Sequence, residues 1–187
     1  MTVDSLHFRI ATPDDAGQVQ QLVQSAFRAE DSRQEWTAHE ELNSRFSIEL
    51  KEILAIITNP DSAFLMATDN NATFVATIGV SKKAADRGRL FMLAVDQKAQ
   101  RGGVGRQVLA YAEDYCQRTW GVTNLGLNAL STRQNLILWY IRRGYRKTGE
   151  ETPFPREHFK DLVLPDDMCF VELEKNLGAV PVVEGPA

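Results

Sequence analysis

The sequence predicts an α/β single domain with one mixed sheet and helices on both faces. Three observations carry this prediction. Runs with an apolar period of two alternate with runs of helical period along most of the 187 residues. A hairpin signal stands beside longer crossover connections, and no internal repeat or low-complexity linker divides the chain.

The elements follow in order. Leu6-His7-Phe8-Arg9-Ile10 alternates and reads as the first strand. Thr12-Pro13-Asp14-Asp15 then offers a cap, a proline in the first turn and two acids at the positive end of a helix dipole. The helix that starts there buries Ala16, Val19, Leu22, Val23, Ala26 and Phe27, which recur at helical spacing. Arg28 to Ser44 is polar, with Trp36 as its one tryptophan, and reads either as a mobile loop or as a short amphipathic surface helix. Helical spacing returns from Phe46 through Leu50, Ile53, Leu54 and Ile57, and Asn59-Pro60-Asp61 ends it. Ala63 to Thr68 and Thr73 to Val80 flank Asp69-Asn70-Asn71 and form a hairpin.

Arg89 to Val95 is the fourth strand, and a polar loop joins it to a helix with Val104, Val108, Leu109, Ala112, Tyr115 and Cys116 on one face. Val122 to Asn128 is the fifth strand. Leu136 to Arg143 is a helix closed by Gly144, a residue that accepts the left-handed cap. Two short strands, Tyr145 to Thr148 and Met168 to Leu173, finish the fold around a proline-containing loop from Thr152 to Asp161. Gly178 to Ala187 reads as a flexible tail behind a domain spanning residues 1–177.

Composition excludes several classes of function. A 187-residue chain with 43% hydrophobic residues buries roughly 70% of its unfolded surface and needs no disulfide or metal staple. Twenty-one Lys plus Arg against 25 Asp plus Glu gives a net charge of -4, which argues against nucleic acid or an anionic membrane as partner. Met1 to Arg9 lacks the basic-then-apolar pattern of a secretory leader, and no apolar run approaches membrane-spanning length. A cytoplasmic protein is expected, with Cys116 and Cys169 as reduced thiols. His7, His39 and His158 are too scattered to suggest a metal site.

The most informative stretch is Gln100-Arg101-Gly102-Gly103-Val104-Gly105, which follows an apolar strand and opens a helix. Glycines let a ligand approach the backbone, and a helix start offers free N–H groups and a positive dipole end, so a phosphate is the natural ligand. Arg101 and Arg106 add side-chain charge. A P-loop requires Lys-Ser/Thr after its last glycine, but Arg106-Gln107 follows Gly105. The dinucleotide fingerprint lacks its third glycine, because Val108 stands there.

With this loop the chain resembles the GNAT superfamily of acyl-CoA-dependent N-acetyltransferases, whose coenzyme A loop follows Gln/Arg-x-x-Gly-x-Gly/Ala. Leu93-Ala94-Val95 matches the family's Leu-x-Val strand, and Tyr140-Ile141-Arg142-Arg143-Gly144-Tyr145 its Tyr-x-x-x-Gly-Phe/Tyr element. The resemblance implies a mostly antiparallel mixed sheet with a V-shaped splay between the fourth and fifth strands. It implies that acetyl-CoA is the cosubstrate, its pyrophosphate held by residues 100–106 and its pantetheine arm by backbone freed along Leu93, Ala94, Val95 and the strand ending at Asn128. An N–H near Leu93 then polarises the thioester carbonyl.

By the same resemblance Tyr140 supplies a proton to the departing thiolate, a contribution of order 10²–10⁴-fold. The rival reading is Tyr140 as a core side chain beside Trp139 with its hydroxyl paired. Where many members carry an asparagine seven residues before this tyrosine, the chain has Arg133, either a contact to coenzyme A or its 3′-phosphate or a solvated surface arginine. Glu30, Asp31, Glu35, Glu40 and Glu41 lie in or near the region that, by the resemblance, walls the acceptor site, and none is singled out as base. Trp36, Phe154 and Phe159 are candidate apolar walls or packing over the sheet edge.

The reading that results is an N-acetyltransferase that moves acetyl directly from acetyl-CoA to a primary amine, first of a small molecule and second of a peptide or protein lysine. A noncatalytic acyl-CoA-binding module is the rival. The family carries an expectation of homodimers.

Overall fold

The computed structural model describes residues 5–29, 40–100 and 102–179. After β1 (His7–Ile10), the Asp15 carboxylate accepts from the Thr12 N–H at 2.8 Å while Arg9 donates to both its oxygens at 2.6 and 2.7 Å. These bonds, Arg9's first, hold the Asp15 carboxyl well below the usual range although burial acts the other way. The 3₁₀ turn Pro13–Asp15 feeds α1 (Ala16–Arg28), whose buried face is Ala16, Val19, Leu22 and Val23.

The segment read as loop or short surface helix contains α2 (Glu40–Ser44). α3 (Leu50–Thr58) starts at Leu50 rather than at Phe46, because Glu49 and Glu52 close a capping box there, with a 2.8 Å bond from the Glu49 N–H to Glu52. Phe46 stays outside the helix and stacks on Phe27 at 4.6 Å.

β2 (Ser62–Thr68), β3 (Phe74–Lys82) and β4 (Arg87–Val95) form a meander. α4 (Val104–Trp120) begins after Gly103 and ends at Gly121, both left-handed, at φ 75 and 65. β5 (Asn124–Leu130) lies two residues later than the predicted 122–128, since Val122 leaves the helix cap straight into the core and is fully buried. α5 (Gln134–Ile141) leads through left-handed Gly144 to β6 (Arg146–Pro153) and β7 (Cys169–Asn176). β6 continues well past the predicted Thr148 and takes Thr152 and Pro153 out of the expected loop. It is an exposed edge strand with a wide irregularity between Lys147 and Glu151 that Gly149, at φ 88, accommodates.

The seven strands run β1-β2-β3-β4-β5-β7-β6. Every pair is antiparallel except β4 with β5. Alternation along β2 divides the core: Ala63, Leu65 and Ala67 join the cluster under α4 and α5, while Phe64 and Met66 join the one under α1 and α3. Helices therefore cover both faces. Burying a side chain such as Phe64, which is 0% exposed, contributes about 1.5–3 kcal/mol.

The predicted splay is present. β4 and β5 pair only at Arg87↔Asn124, Gly88↔Leu125 and Arg89↔Gly126. Beyond that β4 follows β3 and β5 follows β7, so the strands part and leave β4 from Leu90 to Val95 without a strand on that side. β4 is further distorted by a bulge opposite Ile78, where Met92 takes φ 50. Gly178, at the head of the predicted tail, donates its N–H to the Asn176 side chain at 2.7 Å and accepts from Gln117 at 3.2 Å. The rest of that tail, from 180, lies outside the described residues.

Candidate functional site

A cavity of about 690 Å³ runs through the fork between β4 and β5. Leu93, Ala94 and Val95 line it from β4, and Asn128 from β5. Gln100, Gly103, Val104, Gly105 and Arg106 line it at the start of α4, and Arg133 and Tyr140 from the α5 side. Of the other predicted residues, Gly102 lies in the turn before α4 and is not a lining residue, while Arg101 lies outside the described residues.

The loop has the local geometry that the glycines foreshadow. Gly103 occupies the N-cap of α4 at φ 75, a conformation that a side chain disfavours. A Cβ built on Gly105 meets the Trp139 ring at 3.6 Å and Val95 at 3.9 Å, ordinary contacts that leave room for a methyl and little more. The first-turn amides of α4 have no acceptor within the helix, and their residues line the cavity.

Positive charge gathers near this loop, where Arg106 repels Arg143. Arg106, Arg133 and Arg143 all line the cavity. Arg143 lies 4.0 Å above the Trp139 ring and donates to the Trp139 carbonyl at 3.1 Å, yet its Nε is buried without a partner among the described residues. Burial, then repulsion from Arg142 and Arg106, lowers its pKa, so an anion placed there would relieve the strain. Sequence reasoning missed Arg143 and Trp139. Their spacing, an aromatic and a cation one helical turn apart, was the available signal. Arg133 sits at the N-cap of α5, ahead of the helix that carries Tyr140. Its charge still bears on Tyr140.

Tyr140 is 8% exposed and meets Trp139 and Tyr145 edge-on at 5.1 and 5.8 Å. Its hydroxyl makes no hydrogen bond among the described residues. Burial pushes its pKa up to about 12, opposed weakly by Arg133. The hydroxyl thus keeps its proton across the neutral range, the form that a proton donor to a departing group requires.

The opposite face of the fork is aromatic. Phe27, Phe46, Phe91, Phe154, Phe159 and Phe170 line the cavity there. Phe154 and Phe159 belong to the predicted acceptor wall, and Trp36 lies outside the described residues. So do Glu30, Asp31, Glu35 and His39. Glu40 and Glu41 are exposed on α2 and do not line the cavity. Cys116 is fully buried, and burial pushes its thiol up to about 12, which suits a core side chain and not a nucleophile. Among the described residues no group of three His, Cys, Asp or Glu is placed to hold a metal, and no helix is long and apolar enough to cross a membrane.

Comparison with known proteins agrees with this geometry. The model of the acetyltransferase (GNAT) family matches residues 19–145. The fold is shared with the ribosomal-protein-S18-alanine N-acetyltransferase from Escherichia coli, at TM-score 0.68 and 16% identity over 97% of this chain and 100% of that one. It is shared with Ard1 from Thermoplasma volcanium, at TM-score 0.68 and 17% identity over 92% and 98% of the two chains. A spermidine/spermine N-acetyltransferase from Vibrio cholerae aligns at TM-score 0.64 and 11% identity over 92% of each chain. The comparison with curated proteins returns no match. These structures speak for the fold, and the acceptors in their names range from a protein alanine to polyamines.

Proposed function

The chain belongs to the acetyltransferase (GNAT) family, and from that premise we propose that it transfers acetyl from acetyl-CoA directly to the primary amine of a small molecule. The observation that carries this reading is the fork: an unpaired stretch of β4 opens onto a cationic helix start at one end and onto Tyr140, whose hydroxyl has no partner among the described residues, at the side.

The residues present fit the cosubstrate. The orphaned, buried Arg143 Nε and the first-turn amides of α4 suit a pyrophosphate, with Arg106 beside them and Arg133 assigned to the 3′-phosphate. The β4 groups from Leu90 to Val95 that lack a strand partner suit the amides of a pantetheine arm, since buried backbone polar groups need partners. When bound, acetyl-CoA supplies a thioester whose carbon forms the new N–C bond as the C–S bond breaks.

The bulge at Met92 turns the adjoining peptide out of the β3 ladder, and the Leu93 N–H is assigned to the carbonyl oxygen, where negative charge develops. Tyr140 gives its proton to the leaving sulfur, the attacking nitrogen sheds one proton to solvent water, and Tyr140 regains its proton from solvent. The apolar surroundings disfavour a charged ammonium, which promotes the neutral amine that attack requires.

The test is thiol release from acetyl-CoA in the presence of a panel of primary amines, with the acetylated amine identified by mass. Amine-dependent release that Tyr140→Phe depresses supports the reading. Acetyl-CoA binding without release on any amine would favour an acyl-CoA-binding module instead.

A further inference from the structure

The acceptor side of the fork has a composition that selects among amines. Asn128 faces away from the core cluster that takes its neighbours Leu127 and Ala129. Its side chain therefore shares a face with Phe91, which packs in the cluster under α1 and α3, and with the β7 partners Phe170 and Glu172. Asn128 Nδ2 donates to Glu172 at 3.1 Å, and Glu172 also accepts from Arg89 at 3.0 Å and from Thr152 at 2.9 Å. Burial pushes the Glu172 carboxyl up, but these bonds outweigh it and hold the group ionised, below its ordinary value.

An ionised carboxylate accepts only, so it fixes which end of the Asn128 amide faces it. Nδ2 is committed, and Oδ1 accepts no bond among the described residues while the side chain lines the cavity. Oδ1 is thus a preset acceptor at the edge of the fork. The backbone of Asn128 remains available to a pantetheine arm, because its N–H and C=O lie in the plane of the sheet on the fork side while the side chain projects out of that plane.

Beyond Asn128 the cavity walls are rings. Phe27 and Phe46 stack at 4.6 Å on the α1 side. Phe154 meets Phe159 at 5.3 Å and Phe170 at 5.9 Å on the β6–β7 side. Phe91 stands on β4 at the fork. None of the six is exposed, and all line one cavity. At the rim the two walls are tied by Arg45, which donates to both oxygens of Asp161 at 2.9 and 2.6 Å. Among the described residues no Asp or Glu lines the cavity, so the described walls offer a second cationic group no partner.

We propose that the acceptor is a primary amine on a flat apolar body, an arylalkylamine in the simplest case, held by ring contacts at Phe154 and Phe159 and by a hydrogen bond from its neutral N–H to Asn128 Oδ1. This rests on the acetyltransferase reading above and names its acceptor class. Ring burial favours the aryl body, and offset or edge contacts between rings add selectivity over an aliphatic chain.

The experiment compares thiol release with 2-phenylethylamine, ethylamine and spermidine as acceptors, alongside calorimetric titration with acetyl-CoA. The expected kcat/KM for 2-phenylethylamine exceeds that for ethylamine by about 10- to 100-fold. Phe159→Ala should reduce this ratio about tenfold, with Phe159→Leu as a volume-sparing control that reduces it less. Asn128→Ala should lower kcat/KM for the aryl amine about tenfold while the acetyl-CoA Kd stays within twofold. A wild-type protein that binds acetyl-CoA but prefers spermidine, or transfers to no aryl amine, overturns the aryl class and leaves the cosubstrate reading standing. A protein that binds no acetyl-CoA overturns the reading beneath it as well.

Discussion

Replacing Tyr140 by phenylalanine separates proton donation from packing. The ring is 8% exposed and is held edge-on by Trp139 and Tyr145, contacts that phenylalanine keeps. The hydroxyl has no hydrogen-bond partner among the described residues, and burial pushes it up to about 12. Removing a hydroxyl that makes no hydrogen bond to the protein breaks no interaction of the fold, so the change is close to neutral for stability. The melting temperature should therefore hold within about 2 °C. A general acid contributes about 10²–10⁴-fold, so kcat should fall by that factor, equivalent to about 2.7–5.5 kcal/mol of barrier. The assay pairs thiol release at saturating acetyl-CoA with thermal unfolding and a calorimetric Kd. A stable variant with undiminished kcat would refute the role of Tyr140. Equal losses in kcat and acetyl-CoA affinity would assign it to packing around the cosubstrate.

Three further predictions follow from the same geometry. Gly103→Ala forces a side chain into φ 75 and should cost about 1–2 kcal/mol of stability with a raised acetyl-CoA Kd, whereas Gly105→Ala meets Trp139 at 3.6 Å and should leave the melting temperature unchanged; reversal of that order would contradict the loop geometry. The kcat/KM for the amine should rise with pH as the amine loses its proton, and because Tyr140 is pushed up to about 12 no basic limb should appear below about pH 10; a fall between about pH 8 and 9 would count against Tyr140 as donor. Asp15 is held below its unfolded value, so its contribution is complete above about pH 5 and is lost as pH falls through the folded value. Asp15→Asn should destabilise by about 1–3 kcal/mol in urea titrations at pH 7 and by less at pH 3, and an equal gap at both would exclude this linkage.

The parts of the site legible in the sequence are those encoded locally. The glycine run opening α4 and the Tyr140 to Gly144 spacing each lie within one turn and one element, and the structure brings both to the same cavity. The fork was legible only through family resemblance, because strand parting depends on which neighbours β4 and β5 pair with. Pairings across long stretches left no signal: Asn128 with Glu172 spans 44 residues and Arg45 with Asp161 spans 116. The extent of β6 was missed because an exposed edge strand of Arg, Lys, Thr, Gly and Glu has no apolar alternation to read. Of the acceptor wall, Phe154 and Phe159 were legible as candidates, while Phe27, Phe46, Phe91 and Phe170 come from separate elements and read singly as core.

The central claim is that the fork and the start of α4 form an acyl-CoA site. Titration calorimetry of the purified protein with acetyl-CoA, free CoA and ATP tests it most directly. The account predicts saturable binding of acetyl-CoA and CoA at one site per chain, weakened by Arg143→Ala, and no comparable binding of ATP. Absence of heat with acetyl-CoA and CoA would contradict it and leave the glycine run as an empty turn.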